Sequence, residues 1–482
     1  MPTSLARDLI PALPELLLTG TALSILLTAR VWRHLTLVGI LALAGFGAAL
    51  AVLVGQPAVV HEMFTGMLIR TPWIVIFQAG ILGVMLIVTL LALGDRAMGQ
   101  ADAPEFLALL LLSAVGLLLV AGAQSLVMVY VGLELVSLTS YLLAAFYRRD
   151  ILSVEGGLKY FLFGSVATAM LLYGVSWIYG ATGTLDLPSL AFHVLYGAHP
   201  NKVLLIVGLL LVIVGLGFKV ALVPFHQWAP DAYEGAPTPV AAFVSAGPKI
   251  AGFAILLRVL LVAFQGLKTE WGLVLEWLAI LTMSVGNLAA LRQTSIKRLL
   301  AYSSIAQAGY IVIGLVAASP AGAIAITYYV LAYVLMNLAA FACVVAVSNA
   351  TGRDDLGAYA GLSQTHPATA ASMTLALLSL AGIPPLAGFL AKVWVFAAAL
   401  QRGHILLAIV AAINSVIAVY YYAGVIRQMY LVAPQRAAER PAYTWPLRVG
   451  LGVSLAGVVV LGLWPTPLLS WIVAALPVAP RP

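Results

Sequence analysis

The stretch GLGFKVALVPFHQWAPDAYEGAPTPVAAFVSAGPKIA, residues 215–251, sets two lysines, Lys219 and Lys249, inside apolar helical text. An ammonium there costs at least about 2.5 kcal/mol unless it is paired or hydrated. Pro224, Pro230, Pro237, Pro239 and Pro248 lie between the two lysines, with His226, Asp231 and Glu234. A proline removes a backbone donor and disrupts the preceding turn, so the helix carrying Lys219 should break near Pro224. In lipid, freed backbone groups are tolerated only against protein or a water-filled cavity. Lysines beside a broken helix therefore point to an ion path through a membrane. The alternative is a pair of structural salt bridges near a kink.

The remaining sequence agrees on the membrane. Of its 482 residues 63% are hydrophobic and 9% charged, with a mean hydropathy of +1.07. Apolar runs of about 20 residues, long enough to span a bilayer, recur throughout and leave no text for a soluble domain. Leu9 to Ala29 contains Pro11, Pro14 and Glu15 without a small-residue cleavage pattern, so it reads as a first spanning helix rather than a removable signal. The single cysteine, Cys343, excludes a disulfide, thiol cluster or iron–sulfur site within the chain and is expected to be a small core residue. Neither GxGxxG nor GxxxxGK(S/T) occurs, so any redox cofactor should belong to another chain. The net charge of +7 is spread among short loops, which suits a membrane-orientation signal and not nucleic-acid binding.

The expected fold is an all-α polytopic membrane protein of about fourteen transmembrane helices. The spans lie near 8–29, 35–55, 73–94, 104–121, 124–147, 153–180, 203–229 (broken), 238–264, 270–291, 296–317, 321–347, 369–400 (broken), 404–430 and 447–475. The longest connections are 181–202 and 348–368. An even number of spans puts both termini on one side, with Arg7, Arg70, Lys202, Lys268, Arg402 and Arg481. Arg30, Arg33, Arg96, Arg148, Arg149, Arg292, Lys297, Arg298, Arg353, Arg427, Arg436, Arg440 and Arg448 fall on the other. The richer side should be cytoplasmic and both termini outside.

Span 12 carries GIPPLAGFLAKVWVF, where Pro384 and Pro385 precede Lys392 much as Pro224 follows Lys219 in span 7. Spans 7 and 12 stand five places apart, and a five-helix unit reverses its orientation when repeated. Broken helices at matching places of inverted repeats point to an ion site near the midplane. The chain then divides into spans 1–3 (residues 1–95), a first repeat of spans 4–8 (104–264), a second of spans 9–13 (270–430), and span 14 with its tail (447–482).

Glu134 sits near the centre of span 5, among Gly132, Ser137, Thr139 and Ser140, small residues that permit close packing or water. Burial works against its charge and a nearby lysine works for it, so that charge depends on where the partner stands. Lys219 is the expected partner by depth, with a purely structural pair as the alternative. Lys249 follows Pro239 by about ten residues, which at about 1.5 Å each is half the hydrocarbon thickness and too deep for snorkelling. Lys392 follows the break in span 12 and would serve the outer half of a path. Lys159, about two turns into span 6, either functions or snorkels. His226 either shuttles protons or bonds the open backbone at the break. Asp231 and Glu234 read as loop residues that cap the next helix, since one nearby histidine does not make a metal site. Tyr328, Tyr329, Tyr333, Asn337 and Tyr420 to Tyr422 read mostly as packing or interface groups, and Arg258 as snorkelling outward.

Five motifs, VGLELVSLTSY, GLKYFL, GLGFKVALVPFHQWAPDAYEGAPTPVAAF, TSIKRLLAYSSIAQAGY and SLAGIPPLAGFLAKVWVF, resemble those of the antiporter-like subunit N (subunit 2) family of proton-translocating NADH:quinone oxidoreductase, respiratory complex I. The resemblance covers nearly the whole chain. A lysine at position 249, where related subunits often carry histidine, fits subunit N. The resemblance implies that Glu134 and Lys219 form the paired charge of spans 5 and 7, that Lys249 connects the two halves, and that Lys392 acts on span 12. It also matches Lys159 and His226 to a span-6 lysine and the histidine after the span-7 break. NADH, FMN, iron–sulfur clusters and quinone are then expected in other subunits, with none in this chain. Partners would be neighbouring membrane subunits, antiporter-like ones among them, and lipids, in a bacterial inner membrane. The rivals are a subunit of a multi-component sodium/proton antiporter, a complex fed by ferredoxin or hydrogenase modules, and a scaffold whose buried charges only hold helices together.

Overall fold

A computed structural model describes residues 8–29, 34–57, 59–99, 102–197, 201–434 and 443–476. Arg7, Arg30, Arg33, Arg436, Arg440 and Arg481, used above for orientation, lie outside the described residues. Nineteen helices follow one another among the described residues. The first eight are α1 (Leu13–Thr28), α2 (Leu35–Gly55), α3 (Pro72–Gly94), α4 (Ala103–Gly122), α5 (Leu126–Ala144), α6 (Ile151–Thr182), α7 (Leu187–Tyr196) and α8 (Lys202–Val220). Then come α9 (Trp228–Gly235), α10 (Thr238–Arg258), α11 (Lys268–Ala290), α12 (Ile296–Val316), α13 (Pro320–Thr351), α14 (Leu362–Thr365), α15 (Pro367–Ala381), α16 (Ala387–Gln401), α17 (Ile405–Leu431), α18 (Trp445–Leu463) and α19 (Thr466–Ala475). Twelve of them, alone or with a short continuation, are long and apolar enough to cross a membrane. An α-helix satisfies every backbone group internally, which is why apolar text of this length takes that form in lipid.

The breaks fall where the prolines placed them. Helix α8 stops at Val220, and Ala221 turns left-handed at φ +62°. The chain becomes helical again at Trp228, so Asp231 and Glu234 stand on α9 and not in the loop expected from sequence. Span 12 is two helices, α15 and α16, with Gly382 at φ +88° ending the first. A side chain at Gly382 would meet the aliphatic part of Lys392, so glycine serves both the turn and the approach of the lysine. Pro248 does not interrupt α10, whose residues are buried along its whole length. That helix and α13 form the centre, packed on each other and flanked by α3, α4, α8 and α16.

Two connections resemble each other. Ser125, at the start of α5, bridges Asp186, and Ser295, at the start of α12, bridges Asp355. Leu126 N–H donates to Leu185 O and Leu187 N–H to Gln124 O; Ile296 N–H donates to Asp354 O and Leu356 N–H to Thr294 O. Helices α6 and α13 each run 32 residues and end on a left-handed glycine, Gly183 or Gly352.

Three loop readings change. The 181–202 connection contains α7, capped by Asp186 through the Ser189 N–H. Strands β1 (His61–Met63) and β2 (Leu68–Arg70) form a hairpin with His61 opposite Arg70. Arg70 itself is buried: it pairs with Glu15 at 2.6 Å, donates to Gln78 Oε1, and reaches the Pro11 carbonyl. Removing one partner of a buried pair leaves the other charge stranded, so Arg70→Met is expected to destabilise the protein by about 3–5 kcal/mol. Thermal unfolding in detergent checks this, and an unchanged midpoint would contradict it.

Candidate functional site

Lys219 occupies the last turn of α8, where the negative end of the helix favours a cation. It is 3% exposed, and its Nζ donates to Ser137 Oγ at 3.0 Å, with the Tyr160 ring centroid 5.9 Å away. Ser137 lies one turn along α5 from Glu134 and on the same face. No ion pair closes between Glu134 and Lys219 among the described residues, and Glu134 Oε1 is buried without a hydrogen-bond partner. A cavity of about 10 Å³ beside Lys219 and Ser137 is lined by Tyr130, Thr168 and Gly215. That is room for about one water.

The backbone freed at the α8–α9 break is held by side chains: Trp228 Nε1 donates to Phe218 O, and Val223 N–H to Thr282 Oγ1. His226 lies against the Pro224 carbonyl, with Nδ1 buried and unpartnered. From Lys219 a layer of rings runs inward. Tyr160 stacks on Trp228 at 4.1 Å, Trp228 meets Tyr233 at 6.2 Å, and the Tyr233 hydroxyl lies 3.3 Å from Ser304 Oγ.

Ser304, on α12, is the hub of the second position. Lys249, 1% exposed on α10, donates to Ser304 Oγ at 2.6 Å and to the Ser304 carbonyl. Tyr333 also donates to Ser304 Oγ at 2.7 Å and places its ring 5.3 Å from the lysine. Asn337 donates to Ser245 Oγ, beside the Ser245 carbonyl that Tyr333 reaches.

Along α12 Gln307 lies one turn beyond Ser304 and Tyr310 one turn beyond Gln307, each beside the one before. Gln307 donates to Leu380 O and accepts from Tyr329. The Tyr310 ring lies 4.6 Å from Lys392 Nζ, which donates to Ala381 O at the end of α15. Asn287 holds the Tyr310 hydroxyl and joins Asn414 and Tyr421. Helix α12 thus carries a polar stripe from Lys249 to Lys392. Sequence reasoning missed this role. Its signal was Ser303, Ser304, Gln307 and Tyr310 at helical spacing within apolar text.

Two further basic residues close ion pairs at the α6–α9–α12 contact. Lys159 bonds Glu155 at 2.6 Å and Asp231 at 2.8 Å, and Arg298 bonds Asp231 and Glu234 at 2.6 and 2.9 Å. Burial alone would raise the Asp231 carboxyl; hydrogen bonds from Lys159 and Arg298 outweigh it and hold that group below the usual carboxylate range. Lys159 therefore joins α6 to α9 instead of snorkelling freely. Arg258 does not snorkel either: it is buried and donates to Ala123 O and Gln124 Oε1, bracing the turn between α4 and α5. Cys343 is buried in α13, as a core residue. No group of three or more His, Cys, Asp or Glu that could hold a metal occurs among the described residues.

Broken helices around buried lysines in a multi-pass helical bundle define an ion-translocating type of membrane protein. A family model described as NADH:quinone oxidoreductase/Mrp antiporter, TM, matches residues 123–418, and the chain belongs to that family. It is 42% identical over 472 residues to NAD(P)H-quinone oxidoreductase subunit 2 of Synechococcus elongatus, covering 95% of this chain and 90% of the relative. NADH-quinone oxidoreductase subunit N of an Anaeromyxobacter species is 39% identical over 497 residues, with 96% and 95% coverage. A chain of respiratory complex I from Thermus thermophilus, solved with aureothin, superposes with a TM-score of 0.81 at 35% identity, covering 95% of this chain and 98% of that one.

Proposed function

We propose that this chain is the antiporter-like, proton-translocating membrane subunit of an NADH:quinone oxidoreductase. Quinone is reduced in other subunits, which also hold NADH, FMN and the iron–sulfur clusters. Here protons pass by coupled changes of charge and hydration along Glu134, Lys219, Lys249 and Lys392, with Lys159 and His226 in support. One observation carries the reading. The three deep lysines bond neutral oxygens, Ser137 Oγ, Ser304 Oγ and Ala381 O, whereas Arg70 and Arg298, which cannot release a proton, bond carboxylates. A structural charge in a low-dielectric interior is held by a counter-charge, as Arg70 is, or by several neutral acceptors, as Arg258 is, and arginine keeps its proton in either case. A lysine held by neutral acceptors can give its proton to a neighbour and afterwards take one back, which a proton path requires.

Fourteen spans follow if α1 crosses and if α15 with α16 counts as one broken span. The paired 32-residue helices, the paired bridges at Ser125 and Ser295, and the two breaks support repeats over 104–264 and 270–430. Spans 1–3 and 14 would be additions around that core. In a Cys343→Ala background, Arg149→Cys should label from the cytoplasmic side of a bacterial inner membrane and Tyr196→Cys from outside. The reverse pattern would overturn the orientation, both termini included.

The family description also names Mrp antiporters, which keeps a sodium/proton antiporter subunit as the second reading. Purification separates them. Co-purifying iron–sulfur and quinone-site subunits support the first reading, and companion antiporter subunits the second. Glu134→Gln and Lys219→Arg, argued below, test the path itself.

A further inference from the structure

The loops at one end of the bundle enclose a cavity of about 390 Å³, lined among others by Asp95, Tyr147, Asp150, Thr238, Lys297 and Asp354. Positive charge bias makes this the cytoplasmic end. Most of its acids are engaged elsewhere. Glu234 bonds Arg298, Asp355 bonds Arg353, Asp150 caps α6, and Asp95 accepts from the Ala97 N–H. Burial lifts the Asp95 carboxyl above its ordinary range. Asp354 differs: Oδ2 bonds Lys297 at 2.8 Å, while Oδ1 is buried without a partner, as is the Tyr147 hydroxyl. Unsatisfied buried oxygens beside a cavity are where water or a proton is most favourably taken up.

Lys297 forms the floor. It is 6% exposed, and besides Asp354 it reaches the Ala236 carbonyl at 3.2 Å. Lys297, Ala301 and Ser304 follow at i, i+4 and i+7 on α12, so they share one face. Ser304, the acceptor of Lys249, is therefore about 10 Å along the helix from Lys297. The facing helix α10 matches it. Thr238 lines the cavity, and Ser245 and Lys249 continue the same face inward. Tyr233, beside Glu234 on α9, reaches Ser304 from the same direction.

We propose that this cavity is the mouth through which protons reach Lys249, and that Lys297, paired with Asp354, is the transfer residue between them. The inference rests on the proton-translocating reading above. In the transfer, one Nζ–H bond of charged Lys297 breaks and an Nζ–H bond of neutral Lys249 forms, by way of water or the Ser304 hydroxyl. Asp354, having taken a proton on Oδ1 from hydronium in the cavity and left water behind, then passes it to Lys297 and restores the ion pair. One proton enters and one reaches Lys249, with no other reactant.

The test uses the whole complex in vesicles. Lys297→Arg keeps the charge and the pair but cannot release its proton. It should assemble yet lower quinone-coupled proton transport about tenfold or more, the scale of a lost proton-transfer group. Lys297→Met should do the same, while Arg353→Gln, at the exposed neighbouring pair, should stay at the wild-type rate. Wild-type pumping in Lys297→Arg would overturn the proposal. Accessibility gives a second arm that does not depend on how the guanidinium fits. In an Ala301→Cys, Cys343→Ala complex, 2-aminoethyl methanethiosulfonate added on the cavity side should modify the introduced thiol during turnover. Failure to modify it from that side would also overturn the proposal. Lys249→Met, run in parallel, separates the two levels: if it pumps normally, the proton-translocating reading fails. If it is impaired while Lys297→Arg is normal, only the inlet fails.

Discussion

Lys219→Arg is expected to assemble and yet pump as poorly as Lys219→Met, about tenfold or more below wild type. The two lysine roles on offer differ in whether the proton leaves. A fixed positive charge could be supplied as well by arginine, which is effectively never deprotonated in proteins. The Lys219 ammonium bonds a serine hydroxyl, and a carboxylate with an unpartnered buried oxygen stands one turn away on the same helix face. That arrangement suits a group that exchanges its proton as Glu134 approaches and withdraws. Gly215 and Thr168 line the small space beside the head group, so guanidinium fit is controlled by comparing variants at matched assembly levels. Wild-type pumping in Lys219→Arg would make the role electrostatic or structural.

Glu134→Gln should lower both pumping and coupled quinone reduction by about tenfold or more while assembly survives. The change keeps size and removes charge. Glu134 makes no close ion pair among the described residues, so Gln removes only the field of a nearby carboxylate on Lys219 and leaves the Lys219–Ser137 hydrogen bond in place. A scaffold role predicts the opposite balance, with assembly impaired and pumping intact in whatever assembles. Glu134→Asp should recover part of the activity, since it restores a carboxylate at shorter reach.

What sequence made legible was what local rules govern. Pro224 and the Pro384–Pro385 pair predicted both breaks, because proline acts on its own helix. The depth of Lys219, Lys249 and Lys392 followed from their place in apolar text, and all three are buried. Partners were another matter. Arg258 stands at a helix end, where snorkelling is the default, and its acceptors lie more than a hundred residues away in sequence, at 123 and 124. Arg70 and Lys297 counted as loop charges, yet each is buried against an acid on another segment. Asp231 and Glu234 looked like caps because nothing local announced that the helix resumes at Trp228. Ser304 was hidden for a different reason. A serine in apolar text reads as packing until the helix opposite is known to present a lysine to it.

The central claim is that buried titratable side chains carry the protons. The most direct measurement is the number of protons moved per electron in reconstituted vesicles, beside the quinone-reductase rate, for Lys249→Met and Lys249→His. Methionine fills the space without a proton to exchange, so the account predicts an assembled complex with fewer protons per electron or with both rates depressed. Histidine can exchange a proton and should restore part of the loss. Wild-type stoichiometry and rate in Lys249→Met would contradict the account.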